Sequence, residues 1–195
     1  MAVAWERLIH PFIADCDLAE TLDLAAGHGR NSIYLLRHAR RLHVMDIQPG
    51  NIEICRRRLS ECDNVDYHVN NGYDFASVAD DSLTFIYCFD AMVHFEPEVI
   101  GSYLTDARRV LRPGGRGFFH HSNYTGGLDW RTNPHARNFM SRDLFAKSAI
   151  AGGLRVLRQQ VIDWAEAPQL DCLSLVERPM VDVAESATPP SADGR

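Results

Sequence analysis

The feature that most constrains the fold is a regular alternation of short apolar segments with longer helical patterns. Strand-like segments lie at 21–26, 42–45, 65–69, 83–89 and 117–121, and helical patterns lie at 32–38, 52–59, 99–111 and about 141–151. Strands separated by helices pair in parallel through right-handed crossovers, so both faces of the sheet are covered. Two further strands, 154–164 and 170–177, have no helix between them and are expected to pair antiparallel at one edge. The alternation therefore predicts a three-layer, doubly wound, mostly parallel α/β sheet.

The two ends of the chain are expected to add little to this unit. Apolar residues recur at helical spacing from Trp5, so a short leading helix is predicted, although Pro11 should break or kink it. After Arg178 the chain becomes rich in Pro, Ser, Ala and Asp. We therefore expect one domain over residues 1–178 and a flexible tail over 179–195.

Composition excludes several classes of protein. The 195 residues are 46% apolar and carry a formal charge of −6, which does not favour nucleic acid as the main partner. No window approaches the roughly 18 uninterrupted apolar residues that a membrane span needs. The five cysteines form no CxxC pair, so free thiols in a reducing compartment are expected and a zinc site is not. These features predict a cytoplasmic protein without a structural metal.

The loop after the first strand reads Ala25-Ala26-Gly27-His28-Gly29 and is the first place to expect a ligand. Two glycines one residue apart allow close backbone approach, and the alternative explanation is a simple tight turn. A dinucleotide fingerprint would have a third glycine where Ser32 stands. Asp23 just before the loop suits a cationic ligand, and Asp46 at the end of the second strand suits ribose hydroxyls.

Several segments taken together resemble the class I, Rossmann-like methyltransferases that use S-adenosylmethionine. Leu22 to Gly29 is similar to their first motif, with Ala25 where a glycine is usual. Met45-Asp46-Ile47, Asn70 to Asp74, Ser82 to Asp90 and Val110 to Gly115 follow in the family's order. The resemblance runs from about Leu22 to Glu177. It implies a seven-stranded sheet of order 3-2-1-4-5-7-6 with strand seven antiparallel.

The resemblance and the strand ends together give a set of candidate site residues. For binding S-adenosylmethionine they are Asp23, Ala25, Gly27, Gly29, Asp46, Ile47, Asn71, Gly72, Tyr73, Phe89 and Asp90. For catalysis they are His94 and His121, because a hydroxyl acceptor needs a general base and histidine titrates near neutral pH. Strand alternation directs His120 and His121 to opposite faces, so at most one points into the cleft, and His121 is preferred because it is nearer the loop. Both candidates have a structural alternative, as a helix-surface or hydrogen-bonding histidine.

The sequence does not identify the methyl acceptor, although it constrains the acceptor's size. The segment Tyr124 to Asn138 is long for a strand-to-helix connection and could be a substrate lid or a plain surface loop. With no inserted cap domain, a small-molecule acceptor is expected, with O-methylation slightly preferred and a second subunit a possible contributor. The alternatives are an NAD(P)-dependent oxidoreductase and a cofactor-binding module without catalysis.

Overall fold

The computed structural model describes residues 2–180, and its central feature is a seven-stranded sheet of order β3-β2-β1-β4-β5-β7-β6. The strands are β1 (Glu20–Leu24), β2 (Arg41–Asp46), β3 (Val65–Val69), β4 (Leu83–Cys88), β5 (Leu111–Ser122), β6 (Arg155–Trp164) and β7 (Ala167–Glu177). The first five pair in parallel, and β7 runs antiparallel to both β5 and β6. The predicted fold class, strand order and antiparallel edge pair are all confirmed.

Helices cover both faces of this sheet. They are α1 (Ala2–Ala4), α2 (His10–Ile13), α3 (Ser32–Leu35), α4 (Pro49–Arg58), α5 (Pro97–Val110) and α6 (Arg142–Ala151). One apolar core lies under α5 and α6, and a second lies under α3, α4 and the N-terminal helices. Alternate residues of each strand enter opposite cores; on β1, for example, Leu22 and Leu24 belong to the first core.

The leading helix is irregular for a reason that the sequence contains. A π-helical turn, Trp5–Ile9, joins α1 to α2, and Pro11 lies in the first turn of α2. Because proline has no N–H to donate four residues back, the helix cannot continue through it with regular bonding, and the wider turn accommodates the break. Trp5 and Ile9 are buried, so this segment belongs to the core.

Most predicted boundaries shift by up to three residues, and two of the differences have a clear physical reason. The Pro113-Gly114-Gly115 stop ends α5 as expected, but these residues loop out within β5, whose pairing with β4 jumps from Leu83↔Leu111 to Phe85↔Arg116. β7 begins at Ala167 and not at the predicted residue 170, so the turn between β6 and β7 consists of Ala165 and Glu166 alone, and both have positive φ. A tight hairpin requires such values because only they match the twist of the paired strands.

Other expectations concern the whole chain. All five cysteines are free, as expected. Within residues 2–180, each helix is too short or too polar to cross a membrane. The predicted flexible tail begins at Pro179, and from residue 181 onward it lies outside the described residues.

Candidate functional site at the carboxyl ends of the strands

A cavity of about 610 Å³ opens where the strand order reverses, at the carboxyl ends of β1, β2 and β4. In doubly wound sheets this is the position where ligands bind, because the loops from neighbouring strands diverge there. Its walls are Leu24, Ala25, Asp46, Ile47, Gln48, Asn51, Asn70, Gly72, Tyr73, Asp90, Ala91, His94, Phe95, Glu96, Val99 and Tyr103. Seven of the residues expected from the sequence are on this wall: Ala25, Asp46, Ile47, Gly72, Tyr73, Asp90 and His94.

The glycine loop is tied to the second strand through its backbone. Ala25, Gly27 and Gly29 all have positive φ, of 54°, 57° and 72°. A Cβ on Gly27 would meet nothing within 4 Å, so this glycine serves the left-handed backbone and not a close approach. The turn directs the Gly27 N–H to Asp46 Oδ2 at 2.9 Å. Gly27 and Gly29 therefore shape the site without lining the cavity.

Asp46 is one of the carboxylates on the cavity wall, and it is only 5% exposed. Besides Gly27, it accepts hydrogen bonds from the Gln48 N–H at 2.9 Å and from Asn51 Nδ2 at 3.1 Å. A carboxylate offers about four lone-pair sites. Donors of the protein occupy three of these sites, so one is left for a donor of the ligand. Displacement of Gln48 or Asn51 would free another.

Asn70, at the end of β3, has a side-chain oxygen that is buried and has no hydrogen-bond partner among the described residues. Its Nδ2 donates to Tyr103 Oη at 2.7 Å, and both residues line the cavity. An unpaired buried carbonyl oxygen is costly, so the site suits a ligand that presents an N–H or O–H donor.

The sequence prediction named Asn71, but the structure places its neighbour Asn70 on the cavity wall. Asn71 accepts from the N–H groups of Tyr73 and Asp74 and donates to the Asp74 carboxylate. Its side chain closes a local turn, as asparagine commonly does. No signal in the sequence distinguishes the two neighbouring asparagines.

Asp90 follows β4 and also has a left-handed backbone, with φ of 60°. Its carboxylate lies on the cavity wall and accepts from Arg30 Nη2 of the glycine loop at 3.1 Å. The Asp90 N–H donates to His120 Nδ1 at 3.2 Å. An acidic and a basic side chain, Asp90 and Arg30, therefore pair across the mouth of the cavity between β1 and β4. The sequence analysis assigned no role to Arg30.

His94 is exposed, lines the cavity and has a defined tautomer. Its Nδ1 lies 2.8 Å from the carbonyl oxygen of Ala136. A carbonyl oxygen only accepts, so Nδ1 carries the proton and Nε2 presents a lone pair. In the part of the chain that the structure describes, Nε2 has no hydrogen-bond partner. This is the arrangement that a general base requires.

Asp23 does not reach the cavity, contrary to the sequence prediction. Its side chain is 1% exposed and accepts from Ser32 Oγ at 2.6 Å. Burial, together with the nearby charge of Asp46, raises its pKa to about 7 against the opposing effect of the Ser32 hydrogen bond. Strand alternation directs Leu24 to the cavity and Asp23 to the opposite face.

His121 and Phe89 also lie away from the cavity. His121 is fully buried, donates from Nδ1 to the Ser122 carbonyl, accepts from Ser174 Oγ, and stacks on Phe145 at 4.0 Å. Burial lowers its pKa to about 3, so it is neutral at ordinary pH and has no access to substrate. Phe89 packs on the other face of the sheet, 4.6 Å from the His120 ring. The expectation that His121 points into the cleft is corrected accordingly.

Known proteins share both the sequence pattern and the fold. A family model described as a methyltransferase domain matches residues 21–115. The demethylmenaquinone methyltransferase of Tropheryma whipplei (strain Twist) is 27% identical over 113 residues, which are 57% of this chain and 45% of that protein. The chain thus spans less than half the length of this curated relative.

Two solved structures have the same fold at low sequence identity. Geranyl diphosphate C-methyltransferase from Streptomyces coelicolor A3(2), solved with geranyl diphosphate and S-adenosyl-L-homocysteine, has a TM-score of 0.70 and 15% identity, over 89% of this chain and 80% of its own. N-methyltransferase NodS from Bradyrhizobium japonicum WM9, solved with S-adenosyl-L-homocysteine, has a TM-score of 0.69 and 16% identity, over 90% of this chain and 88% of its own.

Proposed function

The chain belongs to the class I, Rossmann-like S-adenosylmethionine-dependent methyltransferases, and from this membership we propose that it methylates a small-molecule acceptor, with an oxygen atom preferred. The family model and the shared fold support the reaction class. The preference for oxygen is carried by one observation, the free Nε2 lone pair of His94 on the cavity wall.

The cavity wall fits S-adenosylmethionine by the chemistry of its donors and acceptors. The orphaned Asn70 oxygen suits an exocyclic amine, and the remaining acceptor site of Asp46 suits a ribose hydroxyl. Ile47 and Tyr73 are both more than half exposed at the cavity and would cover a flat adenine ring. We assign these four residues to the nucleoside half of the cofactor.

The amino-acid half of the cofactor carries one ammonium and one carboxylate. Asp90 on the cavity wall would hold the ammonium, and Arg30, now paired to Asp90, would hold the carboxylate. This exchange replaces one ion pair with two, so the ligand leaves neither side chain unpaired. Asp23 takes no part, since it is buried beneath the loop and bonded to Ser32.

Methyl transfer is an in-line displacement, and the cofactor, when bound, supplies an electrophilic methyl group on its sulfonium. The protein must align the acceptor, exclude water and remove the hydroxyl proton. We assign proton removal to His94. As the acceptor oxygen forms its bond to carbon, its proton moves to Nε2, while the Nδ1–H bond to Ala136 holds the imidazole in place.

Three finer expectations accompany the proposal. The relatives named above act on chemically different acceptors, so acceptor choice would come from this chain's own covering segments, the N-terminal helices and residues 123–140. A second subunit could complete that surface. With a net charge of −6 we expect a cytoplasmic enzyme of small molecules without a primary role on nucleic acid.

Calorimetric titration with S-adenosylhomocysteine and with NAD tests the cofactor. S-adenosylhomocysteine should bind, and Asp46→Ala should weaken it about tenfold to a hundredfold, the range for a hydrogen bond to a charged group. The matched control is Asp66→Ala, a carboxylate on β3 that pairs with Arg41 outside the cavity. Binding of NAD alone would support an oxidoreductase and overturn the proposal.

Transfer of a labelled methyl group to a panel of small phenols and alcohols tests the reaction. His94→Gln should lower turnover roughly 100-fold at neutral pH and leave S-adenosylhomocysteine binding intact. Full activity in this variant would remove His94 as the base and with it the case for oxygen. Cofactor binding without transfer to any acceptor in cell extracts would favour a binding module instead.

A further inference from the structure

Two residues of the proposed site, Asp90 and His94, rely on contacts from outside the cavity. Asp90 holds a left-handed backbone, which is unfavourable for any residue with a Cβ and persists only when its surroundings enforce it. His94 is exposed and would adopt several orientations without its bond to Ala136. Both supports lead to the same side chain on β7.

The support of Asp90 passes through His120. The Asp90 N–H donates to His120 Nδ1, so the proton of this neutral imidazole is on Nε2 and is donated to Asp171 Oδ2 at 2.9 Å. His120 and Asp171 are both fully buried. Asp171 pairs with Ser122 across the sheet, which places its carboxylate at the carboxyl end of β5, beside the end of β4.

The support of His94 passes through Arg137. The guanidinium of Arg137 binds Asp171 at both oxygens, with Nε–Oδ1 of 2.9 Å and Nη2–Oδ2 of 2.6 Å, and is only 2% exposed. The neighbouring Ala136 presents its carbonyl to His94, and the Asn138 N–H donates to the Val93 carbonyl at 3.0 Å. The loop that orients His94 is thus fixed through its arginine.

We propose that Asp171 is a positioning residue that fixes both Asp90 and His94, through His120 and Arg137 respectively. The inference rests on the proposed function, in which these two residues act on the cofactor and the acceptor. Asp171 touches neither ligand; it acts by satisfying two buried donors at once. An arginine fork and an imidazole N–H occupy its oxygens in fixed directions, so a small displacement of the carboxylate moves both arms.

The charge state of Asp171 suits this role. Burial alone would raise its pKa, but the hydrogen bonds from His120 and Arg137 outweigh burial and hold the pKa below its usual value. The carboxylate therefore stays ionised at neutral pH. Its ionised form keeps both donors engaged across the pH range in which a histidine base would work.

The experiment separates the two arms in the ligand-free protein. Amide hydrogen exchange of Asp90 reports the first arm, and the ¹⁵N chemical shifts of the His94 ring report its tautomer and hence the second. His120→Gln keeps a donor near the Nε2 position, facing Asp171, but places no acceptor at the Nδ1 position that faces the Asp90 N–H. It should speed exchange at Asp90 about tenfold and leave the His94 tautomer unchanged. Arg137→Lys should leave exchange at Asp90 unchanged and shift His94 toward the Nε2–H tautomer.

Asp171→Asn should both speed amide exchange at Asp90 and shift the His94 tautomer. It should also weaken the binding of S-adenosylhomocysteine about tenfold. Its matched control is Glu177→Gln, a buried carboxylate on the same strand that binds two arginines, Arg116 and Arg155, at the opposite end. The proposal is overturned if folded Asp171→Asn leaves both signals at wild-type values, or if Glu177→Gln moves them equally.

Two further outcomes remain decisive. If Asp171→Asn does not fold, the single-arm variants decide, because equal changes at Asp90 and His94 in both would indicate general loosening and overturn the proposal. If the wild-type protein fails to bind S-adenosylhomocysteine, the proposed function falls. The exchange and tautomer measurements need no ligand and still report whether Asp171 holds the two residues.

Discussion

Asp23 is a buried acid whose ionisation opposes folding at neutral pH. With burial raising its pKa to about 7, it keeps its proton in the folded protein up to that pH, whereas the unfolded chain releases it near the usual value of 3.8. Between these values the unfolded state binds fewer protons, so stability falls as pH rises.

Asp23→Asn should therefore stabilise the protein above pH 7, because the amide still accepts from Ser32 and has no charge to bury. The advantage should shrink by about 1.4 kcal/mol per pH unit on acidification and vanish near pH 4. Urea unfolding from pH 4 to 8 measures it. Asp66→Asn, which removes a partner of Arg41, should show the opposite sign; a pH-independent advantage for Asp23→Asn would refute the assignment.

Ala25 carries a backbone conformation that suits glycine. Its φ of 54° is costly for alanine, by about 1–2 kcal/mol, while glycine loses about 0.4–1 kcal/mol through the freedom of its unfolded chain. Ala25→Gly should thus raise the free energy of unfolding by roughly 0.5–1 kcal/mol. Ala26→Gly, at a buried position without positive φ, should lower it, and chemical denaturation distinguishes the two.

Individual site residues were predictable where topology placed them and not where side-chain direction decided. Asp46, Asp90 and His94 follow strand ends, and parallel strands bring those ends to one edge. The choice of His121 over His120 depended on which face each side chain takes. Successive strand residues point to opposite faces, but neither histidine lines the cavity, because both side chains are fully buried.

Helices and strands were predicted best where a local signal sets their boundary. The β3 strand has the expected ends, Val65 and Val69, because polar residues bracket a short alternating run. The Pro-Gly-Gly segment misled the prediction of β5, since it can end a helix and form a bulge equally well. Pairing with β4, which no local pattern contains, makes the strand start at Leu111.

The start of α6 depends on a single side chain. Ser141 precedes the helix with an extended backbone, and its Oγ accepts from the Leu144 N–H at 3.1 Å. Ser141→Ala should cost about 1 kcal/mol because that N–H loses its partner. Ser148→Ala, inside the same helix, should be neutral or slightly stabilising. Thermal unfolding of the two variants makes the comparison, and equal effects would show that the cap contributes nothing.

Several strained backbones and buried polar groups lie together at the carboxyl-end edge of the sheet. Ala25 and Asp90 hold left-handed backbones there, Asn70 has an unpaired oxygen, and Asp171 lies beneath the covering loop. The opposite faces of the sheet are filled by two apolar cores. Stability thus comes from the layers, which lets the carboxyl-end edge carry residues that a binding site needs and a core would not tolerate.

Acid should destabilise the protein through its buried histidines. Burial lowers the pKa of His121 to about 3 and also lowers the pKa values of His43 and His68, whose rings approach to 3.1 Å. The unfolded chain binds protons on all three near pH 6.5, whereas the folded protein resists them. Stability is therefore lost as pH falls below about 6.5.

His121→Asn tests this linkage through the slope of stability against pH. The amide keeps a donor to the Ser122 carbonyl but cannot titrate, so the loss of stability below pH 6.5 should be less steep by about 1.4 kcal/mol per pH unit. The variant will be less stable overall because it loses the stack on Phe145, which is why the slope and not the midpoint decides. Urea unfolding between pH 4.5 and 7.5 measures the slope of the free energy of unfolding against pH. Asp23→Asn should make the loss of stability below pH 6.5 steeper, since it removes a group that favours folding in acid. Equal slopes in the wild type, His121→Asn and Asp23→Asn would contradict the pKa shifts assigned to both His121 and Asp23.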